Sequence, residues 1–380
     1  MGTKPVCRHL VGLTSSVDGP SYYEWFTGVG LQRERLCAEC VAHREGGGTI
    51  ALVAVGEAEL EDADLVGIRG APEVRERAEP FDDRVELTRL PWEILDFAPA
   101  DDAWLFVLRD GTIHRDLEPV CRVELPPAEP AHAFWGGAAR LHVSPDGAFA
   151  AVTNDHGHHG AVCDLATGRR TLTLDGGDYH PETVPLSFAF GEHEGRTVAV
   201  HRTAWNRLAL SDASTGEALV AHERELDYFH GRLLVSPDGR RLLDDGWVWH
   251  PYGIPTVWPL TLDAHVRLTD RAYYWNHGLC WLDDDRIAIG GIGTHDDWML
   301  DGARLFAAGG EELTAFAGPS GHFFGDGDRL FAAGDDGLTL WDVAAGAMVG
   351  RIDGFRPTRQ NRAGRELAEV SGGVLRRWRY

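Results

Sequence analysis

Short apolar runs alternate with polar turns along most of this chain. From Arg84 to the C-terminus, runs of roughly four to eight apolar-rich residues recur, and Gly, Asp, Pro or Ser separates one run from the next. This spacing is too close for amphipathic helices and predicts antiparallel β-strands joined by tight turns.

Two turn motifs recur with one period. Ser-Pro-Asp-Gly occurs at Ser144–Gly147 and again 92 residues later at Ser236–Gly239, which is twice a period of 46 residues. A second motif, Asp-x-x-x-Gly, begins at Asp164, Asp212 and Asp342. Because a repeat of about 40–50 residues built from short strands is typical of β-propellers, the repeat predicts a ring of blades.

The strand spacing divides residues 84–380 into seven blades of four antiparallel strands, with six or eight as the neighbouring alternatives. The last segment, Phe355–Tyr380, has room for only three strands. We expect Arg84–Leu90 to supply the fourth strand, so that N- and C-terminal strands close the ring. The chain is therefore predicted to be all-β: a small Cys/His module at 1–48, a strand and acidic connector at 49–83, and a single propeller at 84–380.

One segment, 321–346, resembles a blade of the WD-repeat proteins, and the Ser-Pro-Asp-Gly turns are similar to those of bacterial members of that family. The resemblance rests on Gly321-His322 at the start, Asp335-Asp336-Gly337 at a turn, and Trp341-Asp342 at the end of the third strand. It implies that His322, Asp336 and Trp341 form a buried hydrogen-bonded set. Other blades lack the Trp-Asp pair, so the resemblance concerns architecture and not function.

Two pairs of potential zinc ligands lie near the N-terminus, Cys7 with His9 and Cys37 with Cys40. Paired thiol and imidazole ligands separated by a loop favour a closed, structural zinc site, with His43 as an alternative to His9. Unrelated thiols in a reducing compartment are the other interpretation. The opening is also similar to the start of ubiquitin-protease-type zinc fingers, although the further cysteines of that family are missing here. A short helix is predicted around residues 31–43 and a strand at 49–55.

Histidine and aromatic residues recur immediately before the predicted first strands of several blades. The segments are Asp178-Tyr179-His180, Asp227-Tyr228-Phe229-His230 and Tyr273-Tyr274-Trp275-Asn276-His277. In a propeller these connections share one face, so we expect them to converge on the mouth of the channel. One hypothesis is a second metal site for iron, copper or zinc, or a substrate site, formed by His180, His230 and His277 with Asp178 and Asp227. The other is that each histidine braces its own blade while the aromatic rings pack between blades.

A denser histidine cluster, His156, His158 and His159, falls at the predicted turn between the second and third strands of blade two. Three imidazoles so close together can bind a metal adventitiously. The alternative is an exposed polar loop, since polar and glycine residues are expected at any such turn.

Composition and motifs narrow the classes of function. A net charge of −23 disfavours nucleic acid as a partner. The sequence has no run of 18 apolar residues and no signal-type segment, so we expect a cytoplasmic protein without a membrane partner. Nucleophile elbows, phosphate loops and dinucleotide fingerprints are missing from it. These features favour a non-catalytic scaffold that binds another protein and carries structural zinc. The alternative is an enzyme, or a binder of metals or small molecules, that uses the channel mouth.

Overall fold

The computed structural model describes residues 3–7, 22–27, 32–47, 49–50, 52–56, 65–69, 73–127, 129, 138–221, 227–248, 252–272, 278–292 and 299–380. Strands dominate this part of the chain, and its one α-helix is α1, Ala38–Glu45. Among the described helices, none has the length and apolar character needed to cross a membrane.

The N-terminal part forms a mixed five-stranded sheet. Its strands are β1 Thr3–Cys7, β2 Tyr22–Thr27, β3 Gln32–Leu36, β4 Leu52–Gly56 and β5 Leu65–Arg69, in the order β4-β1-β3-β2-β5. Helix α1 contacts β2 and β3, and Val6, Leu36, Cys40 and Val41 are buried there. β3 occupies the first half of the segment predicted as a helix, since α1 begins only at Ala38. β5 lies in the predicted acidic connector, so the sheet extends beyond residue 48.

Seven four-stranded antiparallel sheets follow, arranged as a seven-bladed β-propeller, which confirms the predicted fold class. From the innermost to the outermost strand, blade one consists of β8 Ile94–Ala100, β9 Ala103–Leu108, β10 Thr112–Arg115 and β11 Glu118–Arg122, and blade two of β12 Ala138–Val143, β13 Phe149–Asp155, β14 His159–Asp164 and β15 Arg170–Asp175. Blade three consists of β16 Phe188–His193, β17 Arg196–Ala204, β18 Arg207–Asp212 and β19 Ala218–Ala221, and blade four of β20 Leu233–Val235, β21 Arg241–Val248, β22 Tyr252–Pro259 and β23 Val266–Arg267. Blade five consists of β25 Leu279–Trp281, β26 Arg286–Ile292, β27 Leu300–Ala307 and β28 Glu312–Ala317, and blade six of β29 His322–Asp326, β30 Arg329–Gly334, β31 Gly337–Asp342 and β32 Ala347–Asp353. Two short strands extend these sheets: β6 Arg75–Glu76 pairs with β32, and β24 Arg271–Ala272 pairs with β22.

The seventh blade closes the ring with a strand from the N-terminal side of the propeller. Its three C-terminal strands are β33 Arg359–Asn361, β34 Glu366–Ser371 and β35 Val374–Arg379, and β7 Glu86–Arg89 pairs antiparallel with β35. Thr88 lies opposite Leu375, and the Leu90 amide donates to the Gly373 carbonyl at 2.9 Å. The predicted closure by Arg84–Leu90 is confirmed.

The two Ser-Pro-Asp-Gly turns have the same hydrogen bonds. In each, the serine Oγ donates to the aspartate carboxylate, at 2.5 Å in one copy and 2.6 Å in the other. The same Oγ accepts the amide of the residue that starts the next strand, Phe149 or Arg241. Gly147 and Gly239 have φ of +65° and +73°, where a side chain is disfavoured. The repeated sequence therefore encodes a repeated turn between the first and second strands of blades two and four.

Two faces of the propeller follow from this topology. Since neighbouring strands are antiparallel, the connections into the innermost strands lie on the same side as the turns between second and third strands. We call this side the entry face, and the side that carries the Ser-Pro-Asp-Gly turns the opposite face.

The hydrogen-bonded set implied by the WD-repeat resemblance is not formed in blade six, which is described throughout. Trp341 is buried, but its indole donates to the Thr339 hydroxyl on the same strand at 2.8 Å. His322 and Asp336 are both exposed. The reason is that His322 lies within β29, opposite Ala333, and not in the connection that precedes the strand.

Candidate functional site

Three of the four predicted zinc ligands of the N-terminal module, Cys7, Cys37 and Cys40, lie at or beside the same end of its sheet. β1 and β3 are parallel neighbours with Val6 opposite Arg35, so Cys7 ends one strand and Cys37 directly follows the other. Cys37 is the N-cap of α1, and Cys40, which is buried, lies in the first turn of that helix. The backbone thus brings three predicted ligands to the same edge. His9 lies outside the described residues.

His230 braces blade four. Its Nδ1 lies 2.7 Å from Oδ2 of Asp244, and the two side chains are 1% and 0% exposed. The other Asp244 oxygen accepts the Gly231 amide, and the Ser187 hydroxyl donates to the His230 carbonyl. This geometry matches the bracing alternative, because His230 Nδ1 and both Asp244 oxygens are engaged within the fold and sealed from solvent, while the buried His230 Nε2 has no hydrogen-bond partner among the described residues.

The other members of the predicted histidine set lie elsewhere. His180, Asp178 and Asp227 are exposed, and His180 Nδ1 lies 3.2 Å from a carboxylate oxygen of Glu182. His277 lies outside the described residues. An exposed His180 and a sealed His230 do not offer their ring nitrogens to one ion.

Tyr179 and Phe229, from two of the entry connections, come together with Trp205 of the turn between β17 and β18 and with Trp247 of β21. Tyr179, Trp205, Phe229 and Trp247 form one run of stacked and tilted rings, which we call the aromatic patch. Ring centroids are 5.6 Å apart for Tyr179 and Trp205, 4.3 Å for Trp205 and Phe229, and 4.1 Å for Phe229 and Trp247. Tyr179 is 48% exposed while Phe229 and Trp247 are buried. The patch therefore runs from the solvent into the core.

Three arginines lie within or directly before innermost strands of blades two, four and seven, and we call Arg140, Arg232 and Arg359 the cationic ring. Two of them are paired: Arg359 donates to both oxygens of Asp96 at 2.7 Å, and Arg140 Nε donates to Asp155 at 2.8 Å. Arg232, directly before β20, is exposed, and the described part of the chain gives it no ion pair.

The pKa shifts of His142, His322 and Arg232 indicate that the three arginines of the cationic ring face a common space. The pKa of His142 is lowered to about 3, first by burial and then by Arg140, Arg359 and Arg232. Desolvation by the surrounding protein and the same three arginines also lower the pKa of His322, although this residue keeps exposed surface. Desolvation by the surrounding protein, followed by repulsion from Arg140 and Arg359, lowers the pKa of Arg232 to about 10, although the residue keeps exposed surface. Cations from blades two, four and seven thus gather around the channel of a protein whose net charge is −23.

A third group lies over blade two, and we call Glu129, His158 and His159 the His-Glu cluster. Glu129 belongs to the connection between blades one and two, His158 to the turn between β13 and β14, and His159 is the first residue of β14. The carboxylate accepts the backbone amides of His158 and His159, at 3.0 and 2.9 Å. Burial acts to raise the pKa of Glu129, but these bonds and one from Asn154 outweigh it and lower the pKa. The loop is therefore an ordered structure held by a carboxylate.

Sequence reasoning missed Glu129 and the cationic ring. Glu129 is 29 residues from His158 in a connection without a motif. The cationic ring does correspond to a sequence feature, an arginine near the start of an innermost strand. That feature can be recognised only once the strand bounds are known. A comparison with protein-family models and with curated proteins gives no match, so the likeness to WD repeats and to zinc fingers stays a prediction.

Proposed function

We propose that this protein is a non-catalytic, cytoplasmic scaffold that binds another protein through the entry face of its propeller. The aromatic patch is the observation that carries the proposal. Tyr179 presents a half-exposed ring whose position is fixed by Trp205 and Phe229 beneath it. Rigid aromatic residues lose little entropy on binding and dominate the affinity of many protein interfaces.

The cationic ring supplies a polar anchor beside the patch. Phe229 and Arg232 belong to the same connection, three residues apart, so the aromatic patch and the cationic ring are close along the chain. A guanidinium without a carboxylate partner binds an anionic group by charge-assisted hydrogen bonds. The partner that fits this surface presents an apolar side chain next to a carboxylate.

The N-terminal module has a structural role in this proposal. Cys7, His9, Cys37 and Cys40 would hold one zinc ion with all four positions filled by protein, which favours stability over catalysis. The meeting of the β1 and β3 ends with the start of α1 supports this ligand set, and the metal would lock these three elements together.

Affinity capture from the native host, compared between variants, tests the interface. Tyr179→Ala removes the exposed ring, and Leu313→Ala, an equally exposed apolar residue near the opposite face, is the matched control. We expect the wild type and Leu313→Ala to enrich at least one protein from the host. Once that partner is purified, its affinity for Tyr179→Ala should be lower than its affinity for the wild type by about tenfold or more. Because Lys4 is the only lysine, carboxylate or photoreactive cross-linkers must be used to locate the contact. Equal capture of the partner by the wild type, Tyr179→Ala and Leu313→Ala would contradict the proposal.

One observation favours the alternative function, an enzyme or binder that uses a metal at the entry face. It is the His-Glu cluster and not the predicted set of His180, His230 and His277. Within the described residues, no other group of His, Cys, Asp and Glu places three ligand atoms so close together.

A further inference from the structure

We propose that Glu129, His158 and His159 bind one divalent transition-metal ion on the entry face. One ligand atom from each residue lies within 4.8 Å of the other two. His158 Nε2 and Glu129 Oε2 are 4.0 Å apart, and a single ion about 2.1 Å from each atom spans that separation. Two imidazole nitrogens and one carboxylate oxygen suit zinc, iron, cobalt or nickel.

The orientation of His158 is already that of a metal ligand. Its Nδ1 lies 3.0 Å from Oδ1 of Asp175, an oxygen that also accepts the Gly177 amide. Donation from Nδ1–H to this carboxylate leaves the lone pair on Nε2, which is the atom nearest Glu129. Carboxylates orient metal-binding histidines in this way and raise their basicity.

The two oxygens of Glu129 have different surroundings. Oε1 lies within hydrogen-bond distance of the His158 and His159 amides, His159 Nδ1 and the Asn154 amide group. Oε2 accepts only the His158 amide among the described contacts. One oxygen therefore holds the loop, and the other keeps a lone pair beside His158 Nε2.

Gly157 makes this arrangement sterically possible. A Cβ at that position would lie 2.4 Å from Glu129 Oε2, so any other residue would push the carboxylate away. Beneath the loop, the buried Arg202 donates to the Gly157 carbonyl at 3.2 Å. The carboxylates of Glu129 and Asp175 outnumber this one cation, so a divalent ion still meets net negative charge.

Three protein ligands leave coordination positions open. The side chains of His158 and His159 are 25% and 32% exposed, so solvent or a ligand reaches the site. Open positions are typical of metals that bind or activate a further group, in contrast to closed structural sites. This inference goes beyond the scaffold function, because the open positions of the metal would give the entry face a site for a further ligand that donates an electron pair.

Metal titration of the stripped, full-length protein without a partner tests the site, with Co²⁺ followed by visible absorption and Zn²⁺ by calorimetry. The titration is run in the wild type and in Cys37→Ser/Cys40→Ser, which removes the proposed structural site. We expect one bound ion to persist in the double variant. His158→Ala and His159→Ala should each weaken its binding by about tenfold or more, and Asp175→Asn by about tenfold.

His156→Ala is the matched control, because His156 lies in the same turn but its Nδ1 lies 3.0 Å from the Glu182 carbonyl. Glu129→Gln has the same shape and keeps an oxygen acceptor for the loop amides, so it tests the site even if an alanine variant fails to fold. Equal Co²⁺ affinity in His156→Ala, His158→Ala and Glu129→Gln would overturn the proposal. So would the loss of all bound metal in Cys37→Ser/Cys40→Ser.

Discussion

Arg359 in blade seven and Asp96 in blade one are joined by two hydrogen bonds of 2.7 Å each. The Arg359 Nε also donates to the Phe97 carbonyl, and Asp96 accepts the Leu141 amide of blade two. The two ends of the ring are therefore joined by β7 and by an ion pair in which one guanidinium nitrogen of Arg359 contacts both carboxylate oxygens of Asp96. The side chains are only 15% and 14% exposed, so solvent does little to compensate either charge.

Replacing Arg359 by Ala is expected to lower the free energy of unfolding by about 3 kcal/mol, because Asp96 would remain as a largely buried, unpaired charge. The control is Arg109→Ala, which breaks an exposed pair of the same 2.7 Å length with Glu93 and should cost less than about 1 kcal/mol. Chemical denaturation of both variants measures the difference. Equal costs would show that the Arg359 pair contributes no more than a surface contact.

His230 and His180 should respond differently to the same substitution. His230→Ala leaves the sealed Asp244 without its partner and should cost about 2–3 kcal/mol. His180 is exposed, so His180→Ala should change stability by less than about 0.5 kcal/mol. Denaturation midpoints check both values, and a His230 cost as small as that of His180 would remove its bracing role.

Closure by β7 can be tested with proline. Since the Leu90 amide donates to Gly373, alternation along the antiparallel pair points the Thr88 amide at β35 and the Leu87 amide at solvent. Thr88→Pro removes a ladder hydrogen bond and should cost about 3 kcal/mol, whereas Leu87→Pro should cost clearly less. Urea unfolding compares the two variants. Equal destabilisation would mean that Pro acts through the strand conformation and not through the lost bond.

Stability should fall as the pH drops below 6.5. Burial lowers the pKa of His201 from its ordinary 6.5 to about 4, and a hydrogen-bonding interaction of the imidazole with the Arg202 backbone raises it only in part. Below pH 6.5 the unfolded chain takes up a proton that the folded chain does not, so stability is lost until the pH reaches the folded pKa near 4. Between pH 6 and 5 this residue should contribute a loss of about 1 kcal/mol.

His201→Gln removes that titration and keeps a polar group near the Ser211 hydroxyl, which lies 3.0 Å from His201 Nε2. Unfolding measured from pH 7 to 5 should therefore be less pH-dependent in the variant. An unchanged slope would assign the acid sensitivity to other groups, of which His142 is the first to consider.

Zinc analysis checks the N-terminal module. We expect one structural zinc per chain that is lost in Cys37→Ser/Cys40→Ser, because both thiolates lie at the start of α1. Cys280→Ser is the control, since this buried thiol has a pKa raised to about 12 and should bind no metal. Equal zinc content in the two variants would show that the ion is held elsewhere.

The fold was predictable because its information is local and repeated. Turn motifs such as Ser144–Gly147 form the same hydrogen bonds wherever they occur, and their period sets the size of a blade. The closure of the propeller ring was also predictable from the number of strands, since the last segment has room for three strands and a blade needs four. The N-terminal sheet was less predictable because β5 pairs in parallel with β2, a partner about 40 residues away.

The sites were less predictable because they depend on which connections meet in space. Tyr179 and Phe229 of two entry connections pack together, but their neighbours Trp205 and Trp247 lie outside those connections, and His230 is paired with Asp244 within its own blade. Glu129 reaches His158 only because Gly157 lacks a side chain, a steric fact that no spacing rule contains. Likewise, the hydrogen-bonded set that the WD-repeat resemblance implies around Trp341 does not form, because His322 lies within strand β29.

The origin of the closing strand has a consequence for synthesis. β7 leaves the ribosome early, yet its partner β35 appears about 290 residues later, which is roughly 15–60 s at ordinary rates of translation. During that time β7 is an unpaired edge, and its charged ends Glu86 and Arg89 oppose pairing with other chains. The ring thus cannot close during translation until β35 is made, and a nascent chain truncated before β35 should remain dependent on chaperones.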